Sequence, residues 1–206
     1  MSWSQQQDTA IQAVRAWLRD KSGPQVYYLA GYAGTGKTTI AKELAANVSG
    51  AVLFGAFTGK AALVLQRKGC EGASTIHSMI YCVYEDPETG LPKFKLNEDG
   101  ALRDAALVVI DECSMVGEAL GRDLLSFGCR VLVLGDPAQL PPVKDAGYFT
   151  ERTPDTMLTE VHRQARDNPI IRLSMDVREG RGLSLGTYGS SKVISRRDVN
   201  TAEVVA

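Results

Sequence analysis

The sequence predicts an α/β fold in which helices cover both faces of a parallel β-sheet. Strand-like and helix-like segments alternate along the chain. Several strand-like segments, among them "ALVVID" (106–111) and "RVLVLGD" (130–136), are apolar without alternation, as strands buried on both faces are. A glycine-rich loop also joins the first strand-like segment to a helix-forming one.

The length and composition fit one globular domain. The 206 residues suffice for a full core with one small insertion. Because the net charge is −1, the protein is not a general binder of polyanions, and any affinity for nucleic acid must come from a local surface. No apolar run reaches the roughly 20 residues that span a bilayer, and no secretory signal is visible. We therefore expect no membrane association and a cytoplasmic location.

The elements follow in order from the amino end. Residues 4–19 place apolar side chains at helical spacing behind a serine N-cap, which predicts an amphipathic helix. "VYYLAG" (26–31) predicts a strand, and "TTIAKELAANV" (38–48) predicts the helix after it. "AVLFGAF" (51–57) and "TGKAALVLQRKG" (58–69) repeat this order. The repetition predicts successive βα units of one sheet.

Later segments depart from the alternation. In residues 81–97, two alternating runs flank "DPETG", whose proline and glycine predict the turn of a β-hairpin. Residues 168–180 predict a helix that begins near an Asn-Pro pair and ends at a glycine. The remaining chain is rich in glycine and serine. We therefore predict one lobe over residues 1–180, and a frayed end or the start of another lobe over residues 181–206.

The glycine-rich loop is "GYAGTGKT" (31–38), which fits the pattern GxxxxGK[ST] in full. Backbone N–H groups of such a loop bind phosphates, the lysine Lys37 reaches the β- and γ-phosphate oxygens, and the Thr38 hydroxyl binds Mg²⁺. The sequence therefore predicts a P-loop NTPase with ATP and Mg²⁺ as ligands. The predicted ATP-binding residues of the loop are Gly31, Ala33, Gly34, Thr35, Gly36, Lys37, Thr38 and Thr39.

A second motif, "LVVIDEC" (107–113), ends an apolar strand with two adjacent carboxylates. In a P-loop NTPase, Asp111 at this position binds the water shell of the metal, and Glu112 orients and deprotonates the attacking water. Acidic residues at a strand end are often only solvated, but the phosphate loop favours the catalytic interpretation. A second carboxylate that activates water indicates a hydrolase rather than a kinase. In a kinase the nucleophile is a hydroxyl group of another substrate, and a carboxylate for water would be superfluous.

A third motif, "VLVLGDPAQLPPV" (131–143), places Gln139 just beyond a further strand, where ligands bind in sheets of this type. Its amide can donate to a γ-phosphate and accept from water, so it can respond to the terminal phosphate. Pro141 and Pro142 would stiffen the exit of this loop. An ordinary polar loop punctuated by prolines is the alternative.

Six motifs occur in the order "GYAGTGKTT", "TGKAA", "STIHS", "VVIDECSM", "LGDPAQLPPV" and "LTEVHRQ". This set resembles the successive motifs of superfamily 1 DNA helicases of the RecD/Dda type, the 5′-to-3′ branch that includes the helicase subunit of exonuclease V. The resemblance covers roughly residues 3–180. It implies a RecA-like motor lobe with a small β-hairpin insertion, which uses ATP hydrolysis to translocate on single-stranded DNA and unwind duplexes.

The resemblance implies two further nucleotide contacts. Gln7 in "WSQQQDTA" matches the glutamine that reads adenine, and Arg163 in "VHRQ" matches the arginine that approaches the γ-phosphate. A polar residue at a helix start and a surface arginine are the respective alternatives. The catalytic set implied in this way is Lys37, Asp111, Glu112, Gln139 and Arg163, with Thr38 and Asp111 at the metal.

The resemblance also implies contacts with DNA. "FTGKAA" (57–62) matches a segment that grips the DNA backbone, although relatives usually have proline in place of Phe57. "STIHS" (74–78) matches a second DNA-contacting segment, in which the histidine could equally be structural. The candidate contacts in these two segments are Thr58, Gly59, Lys60, Thr75, His77 and Ser78.

The predicted hairpin at residues 81–97 occupies the position of the family's strand-splitting pin. Its aromatic residues Tyr84 and Phe94 are candidates for stacking on bases. A small core built by the hairpin's own aromatic side chains is the alternative.

Family members have a second RecA-like lobe, and no signature of that lobe follows residue 180. We therefore expect a fragment of a longer helicase, or a naturally shortened relative, that hydrolyses ATP slowly by itself. The implied partners are single-stranded DNA, the second lobe, and recombination or replication proteins, in DNA recombination, repair or phage replication. One alternative is an ATP-dependent regulatory or loading module without affinity for single strands; another is a binding domain that never hydrolyses ATP.

Overall fold

A computed structural model describes residues 3–139, 147–161 and 168–198. The chain divides into two compact units, Met1–Glu160 and Val161–Ala206. The lobe boundary at residue 180 stays a prediction. Among the described residues, no helix is both long and apolar enough to span a bilayer.

The first unit contains the parallel sheet and the helices around it. In chain order the elements are α1 (Gln5–Arg19), β1 (Val26–Gly31), α2 (Lys37–Ala45), β2 (Ala51–Ala56), α3 (Gly59–Arg67), β3 (Ser74–Thr75), α4 (Ile76–Ile80), β4 (Tyr81–Glu85), β5 (Pro92–Leu96), β6 (Ala105–Asp111), a 3₁₀ helix (Cys113–Met115), α5 (Glu118–Ser126), β7 (Val131–Gly135) and β8 (Thr156–Leu158). The β4–β5 pair forms a separate hairpin, and the other six strands form one sheet in the spatial order β3-β2-β6-β7-β1-β8.

All neighbouring strands of the six-stranded sheet run parallel. Every residue of β1 and β7 is buried, as their unbroken apolar sequences predict. Because the strands are parallel, their carboxyl ends meet at one edge of the sheet, which we call the carboxyl edge. The loops that follow β1, β2, β6 and β7 all begin there.

Apolar cores lie on both faces of the sheet, which confirms the predicted α/β architecture. One core includes Val14 of α1, Ile40 of α2 and Leu65 of α3. The other includes Ile80 of α4 and Leu124 of α5. Helix α1 begins as predicted, because the Ser4 side chain accepts from the Gln7 N–H and forms a capping box with that residue.

The predicted hairpin is formed by β4 and β5, which pair antiparallel from Tyr81↔Leu96 to Glu85↔Pro92. Its turn closes through the Asp86 N–H, which donates to the Leu91 carbonyl at 2.9 Å. The base of the hairpin is attached to α5, because the Tyr81 hydroxyl donates to the Asp123 carboxylate of that helix.

The second unit contains helix α6 (Pro169–Arg178), strands β9 (Gly186–Tyr188) and β10 (Ser191–Val193), and a 3₁₀ helix (Arg196–Asp198). The Asn168 side chain caps α6 by accepting from the Ile170 N–H. Strands β9 and β10 form an antiparallel hairpin where the sequence predicts a frayed end. This difference has a local cause, since Gly189 adopts the positive φ of 62° that the tight turn requires.

Candidate functional site

The glycine-rich loop between β1 and α2 lies at the carboxyl edge. Gly34 and Gly36 have φ values of 80° and 88°, in the left-handed region that favours glycine. A Cβ on Gly31 would lie 2.7 Å from Thr35 Oγ1 and 2.8 Å from Leu158 Cβ. The backbone path therefore requires each of the three motif glycines.

The loop surrounds the ammonium group of Lys37. Lys37 Nζ donates to the carbonyl oxygens of Gly31 at 2.7 Å and Tyr32 at 3.1 Å. The buried Thr35 hydroxyl also donates to the Tyr32 carbonyl, at 2.9 Å. Lys37 and the loop from Ala33 to Thr39 line a cleft of about 300 Å³ at the amino end of α2. A cation, the backbone of a glycine-rich loop and a helix amino end together suit a phosphate chain.

Two of the predicted metal ligands are adjacent beside this cleft. Thr38 Oγ1 donates to Asp111 Oδ2 at 3.0 Å, and Asp111 Oδ1 accepts from the Glu112 N–H at 3.0 Å. Asp111 is only 7% exposed. Hydroxyl and carboxylate oxygens are ligands that Mg²⁺ prefers. The residues therefore fit a magnesium ion.

Glu112 adopts a backbone conformation unusual for its residue type. Its φ of 55° makes it the one non-glycine residue with positive φ in the described part of the chain. Such a conformation costs on the order of 1–3 kcal/mol and occurs most often at functional sites. It bends the chain sharply between β6 and the 3₁₀ helix Cys113–Met115. Glu112 lines the same cleft as Lys37.

Gln139 meets Glu112 at this edge. Gln139 Nε2 donates to Glu112 Oε2 at 2.8 Å, and Gln139 Oε1 accepts from Ser114 Oγ at 3.1 Å. The buried Asp136 builds the turn, since its carbonyl accepts from the Gln139 N–H and its carboxylate from the Ala138 N–H, both at 3.0 Å. The structure thus brings the predicted water-activating residue and the predicted phosphate sensor into contact.

Three residues of this site escaped the sequence analysis. Ser114 and Asp136 lie inside the motifs that contain Glu112 and Gln139, so their position in those motifs could have identified them. Lys68 lines the phosphate cleft from the carboxyl end of α3. No sequence pattern indicates Lys68, because its position depends on how α3 packs beside α2.

Gln7 has a structural role at the phosphate loop. Its side chain is 2% exposed, and Nε2 donates to the Thr35 carbonyl at 3.0 Å. Its Oε1 accepts from the Ser4 N–H at 3.1 Å, which completes the capping box of α1. The helix-start role considered for Gln7 is therefore present. Its contact with adenine stays a prediction.

The segment that leads toward Arg163 is attached to α1 by Gln6. Gln6 Oε1 accepts from the backbone N–H groups of Thr159 and Glu160, both at 2.9 Å, and Nε2 donates to Thr159 Oγ1 at 3.0 Å. Arg163 itself lies outside the described residues, as do Pro141 and Pro142.

The first predicted DNA segment begins α3 at the carboxyl edge. Thr58 is the N-cap of this helix, and its Oγ1 accepts from the Ala61 N–H at 3.2 Å. Lys60 is exposed, and a Cβ on Gly59 would meet no atom within 4 Å. The backbone here is therefore open to a ligand.

The second predicted DNA segment lies beside the first, because β3 pairs with the carboxyl end of β2. Thr75 caps α4, and its hydroxyl accepts from the Ser78 N–H at 3.1 Å and donates to Ser78 Oγ at 2.9 Å. His77 is exposed, and its ring centroid lies 5.9 Å from that of Phe57 and 6.0 Å from that of Tyr81. Phe57, where relatives have proline, therefore packs against His77.

The two aromatic residues of the hairpin lie on opposite faces. Phe94 pairs with Val83, whereas Tyr84 pairs with Lys93, and successive strand residues face opposite sides. Phe94 is 73% exposed. Lys95 Nζ lies 5.7 Å from the centroid of the Tyr84 ring. The two rings therefore do not form a shared small core.

Comparison with known proteins identifies the family. Residues 2–198 match the family described as an AAA domain. The chain belongs to this family. It is 37% identical over 180 residues to the ATP-dependent RecD2 DNA helicase of Deinococcus radiodurans, an alignment that covers 82% of this chain and 24% of that protein. The resemblance to superfamily 1 motor domains of the RecD type is thereby confirmed.

Solved structures show the same RecA-like fold in this AAA domain. The Pif1 helicase from Bacteroides in complex with ADP-AlF3 and single-stranded DNA aligns with a TM-score of 0.65 at 23% identity, over 100% of this chain and 56% of that chain. The Pif1 helicase from Candida albicans aligns with a TM-score of 0.56 at 23% identity, over 89% and 46% of the two chains. This chain thus spans about a quarter of the RecD2 helicase and about half of each solved helicase.

Proposed function

We propose that this chain is the ATP-binding motor lobe of an ATP-dependent DNA helicase that translocates on single-stranded DNA. One observation carries the proposal. The bonded set of Thr38, Asp111, Glu112 and Gln139 lies on the same sheet edge as the exposed segment Thr58–Lys60. The candidate ATPase site and the candidate phosphate-backbone surface therefore lie on one sheet.

The chain's own groups account for binding and orientation of ATP. The loop N–H groups and Lys37 hold the phosphate chain, and Lys37 exchanges its carbonyl partners for phosphate oxygens. Mg²⁺, held by Thr38 and through its water shell by Asp111, would neutralise phosphate charge. We also propose that Gln7 and Arg163 contact the nucleotide, as the resemblance implies.

Hydrolysis depends on Glu112. Its carboxylate accepts a proton from water while the water oxygen bonds to the γ-phosphorus and the bond from that phosphorus to the β–γ bridging oxygen breaks. Gln139 contacts this carboxylate and would contact the terminal phosphate when ATP is bound, so it would link the state of the nucleotide to the loop after β7. A second RecA-like lobe would complete the site and respond to that loop.

The carboxyl ends of β2 and β3 would hold the DNA. Thr58 and Thr75 use their hydroxyls as helix caps, so we propose that backbone groups of these segments and the exposed Lys60, His77 and Ser78 contact phosphates. In the hairpin, the face with Val83 and Phe94 would contact unstacked bases.

A binding measurement tests this proposal. A fluorescent single-stranded oligonucleotide should bind the chain in a salt-dependent manner, because backbone contacts release counterions. Lys60→Ala should weaken binding several-fold and reduce the slope of log K against log salt by about 0.7. Glu112→Gln should leave DNA binding intact.

Lys21→Ala is the matched control, since Lys21 is an exposed lysine between α1 and β1, at the opposite edge of the sheet. It should change binding little. Absence of salt-dependent binding by the unmodified chain would contradict the helicase proposal and favour the regulatory or loading module.

A further inference from the structure

The Gln139 amide is held at both of its ends. Ser114 Oγ donates to Gln139 Oε1 at 3.1 Å, and Gln139 Nε2 donates to Glu112 Oε2 at 2.8 Å. Ser114 belongs to the 3₁₀ helix that follows Glu112, and it is 5% exposed. Gln139, in contrast, is exposed. A buried hydroxyl therefore fixes one end of an exposed amide.

The chemistry of these groups permits one orientation of the amide. An ionised carboxylate can only accept hydrogen bonds, so Glu112 requires the nitrogen end of the Gln139 amide. A hydroxyl can donate, so Ser114 satisfies the oxygen end. If the amide were flipped, its oxygen would face the Glu112 carboxylate, and two acceptors would repel each other.

Ser114 is itself firmly placed. A Cβ on Gly147 would lie 2.7 Å from the Ser114 carbonyl oxygen, so these two backbones are in close contact. The Val116 N–H donates to the Cys113 carbonyl at 3.1 Å, and the Tyr148 N–H donates to the Val116 carbonyl at 2.8 Å. These backbone bonds fix the residues around the Ser114 hydroxyl.

We infer that Ser114 is a positioning residue that keeps the Gln139 amide nitrogen on the Glu112 carboxylate until the terminal phosphate of ATP takes that nitrogen over. The inference rests on the proposed role of Gln139 as a γ-phosphate sensor. The Gln139 contact occupies one acceptor position on the Glu112 carboxylate, the group that we propose activates water. The γ-phosphate of ATP competes for Nε2 and frees the carboxylate, whereas ADP lacks that phosphate. Ser114 thereby contributes to discrimination between ATP and ADP.

A spectroscopic experiment on the full chain tests the positioning directly. The side-chain amide resonances of Gln139 are assigned by their loss in Gln139→Ala. In the nucleotide-free chain we expect Ser114→Ala to move them toward the positions of a solvated glutamine. Ser126→Ala, which removes an exposed hydroxyl bonded to the Asp123 carbonyl at 2.7 Å, should leave them in place. Unchanged Gln139 resonances in Ser114→Ala would overturn the inference.

A binding experiment tests the consequence. The ratio of affinities for the magnesium complexes of adenylyl imidodiphosphate and ADP should fall about 3- to 10-fold in Ser114→Ala, the size expected for one hydrogen bond. In a Gln139→Ala background, Ser114→Ala should cause no further fall, because the two residues act as a unit. Additive effects, or equal losses for both nucleotides together with a lower melting temperature, would indicate a merely structural serine and overturn the inference.

The two proposals fail in different ways. If Gln139→Ala leaves the affinity ratio unchanged, Gln139 is not the sensor and that part of the proposed function is wrong. In that case moved resonances in Ser114→Ala would still support Ser114 as the residue that orients the amide, and unmoved resonances would reject it.

Discussion

The nucleotide cleft and the β4–β5 hairpin use their side chains in opposite ways. Around the cleft, polar side chains bond to one another, as Thr38 does to Asp111 and Gln139 to Glu112. On the hairpin, Val83 and Phe94 are 62% and 73% exposed. The polar groups of the cleft are thus held in place by one another, whereas the hairpin presents apolar surface to solvent.

This difference fits the two kinds of recognition that we propose. A phosphate chain has fixed charges and geometry, so a cleft that binds it benefits from donors held in place. Every base has a flat face whatever the sequence, so a surface that stacks on bases needs exposed rings and few precisely placed polar groups. The hairpin's backbone pairing fixes its shape, and its side chains remain available for contact.

Glu112→Gln is the change expected to have the largest effect, because it removes the carboxylate that we propose as the proton acceptor and keeps the shape of the cleft. ATP turnover, measured as phosphate release, should fall by about 100-fold or more. Affinity for the magnesium complex of ADP should stay within about threefold, since the phosphate loop is intact. Glu118→Gln, at an exposed carboxylate of α5 paired with Arg122, is the control. Unchanged turnover in Glu112→Gln would show that the cleft is organised for something other than hydrolysis.

The cleft and the hairpin also differ in how much of their structure the sequence predicts. The phosphate loop was predictable because its glycines and lysine permit one backbone path, and Gln139 and Glu112 follow neighbouring strands whose carboxyl ends must meet. Strand β8 (Thr156–Leu158) was not predictable, since three residues are too few to show a periodic pattern. The contact of Ser114 with Gln139 depends on the 3₁₀ turn after Glu112, which sequence alone does not specify.

The hairpin was partly predictable. Alternating residues and the "DPETG" turn indicate two paired strands, but the register was not predicted, because the loop is one residue longer than that turn and places Val83 opposite Phe94. The exposure of Phe94 did not follow, because an aromatic residue in a strand is usually buried against a neighbouring element. Here the described residues provide no such cover, which leaves Phe94 at 73% exposure.

Phe94→Ala tests the hairpin side of the contrast. If Phe94 stacks on a base, its loss should weaken binding of a forked DNA by about 10-fold, within the range of 1–3 kcal/mol for one stacked base. The free energy of unfolding should change by less than about 0.5 kcal/mol, because the side chain is exposed. Tyr84→Ala, on the opposite face beside Lys95, should have a smaller effect on binding.

Val177→Ala in α6 removes a comparably exposed apolar side chain, at 57%, and serves as the control for Phe94→Ala. It should not change DNA binding. Equal losses in Phe94→Ala and Tyr84→Ala would show that the two faces of the hairpin do not differ in function, whereas no loss in either would remove the hairpin from the DNA interface.

Tyr28 is an exception to the pattern of bonded polar groups near the carboxyl edge. Its side chain on β1 is 1% exposed, and its hydroxyl has no hydrogen-bond partner among the described residues. Burial raises the pKa of Tyr28 to about 12, and the neighbouring Cys113 and Asp136 add to this effect. Tyr28→Phe removes only the hydroxyl. Because the protein no longer buries an unpaired polar group, the free energy of unfolding at pH 7 should rise by about 1 kcal/mol.

The pH dependence provides an independent check of Tyr28→Phe. The folded-state pKa of about 12 exceeds the ordinary value of 10.0, so folding favours the neutral phenol. The contribution of this proton binding to the free energy of unfolding is therefore fully present below pH 10. It is lost as the pH rises from 10 toward 12. Urea unfolding at pH 7 and pH 11 should show a smaller alkaline loss of stability in Tyr28→Phe than in the unmodified chain. A variant less stable at pH 7 would instead show that the hydroxyl has a partner, and Tyr28 would then follow the same rule as the polar side chains of the cleft.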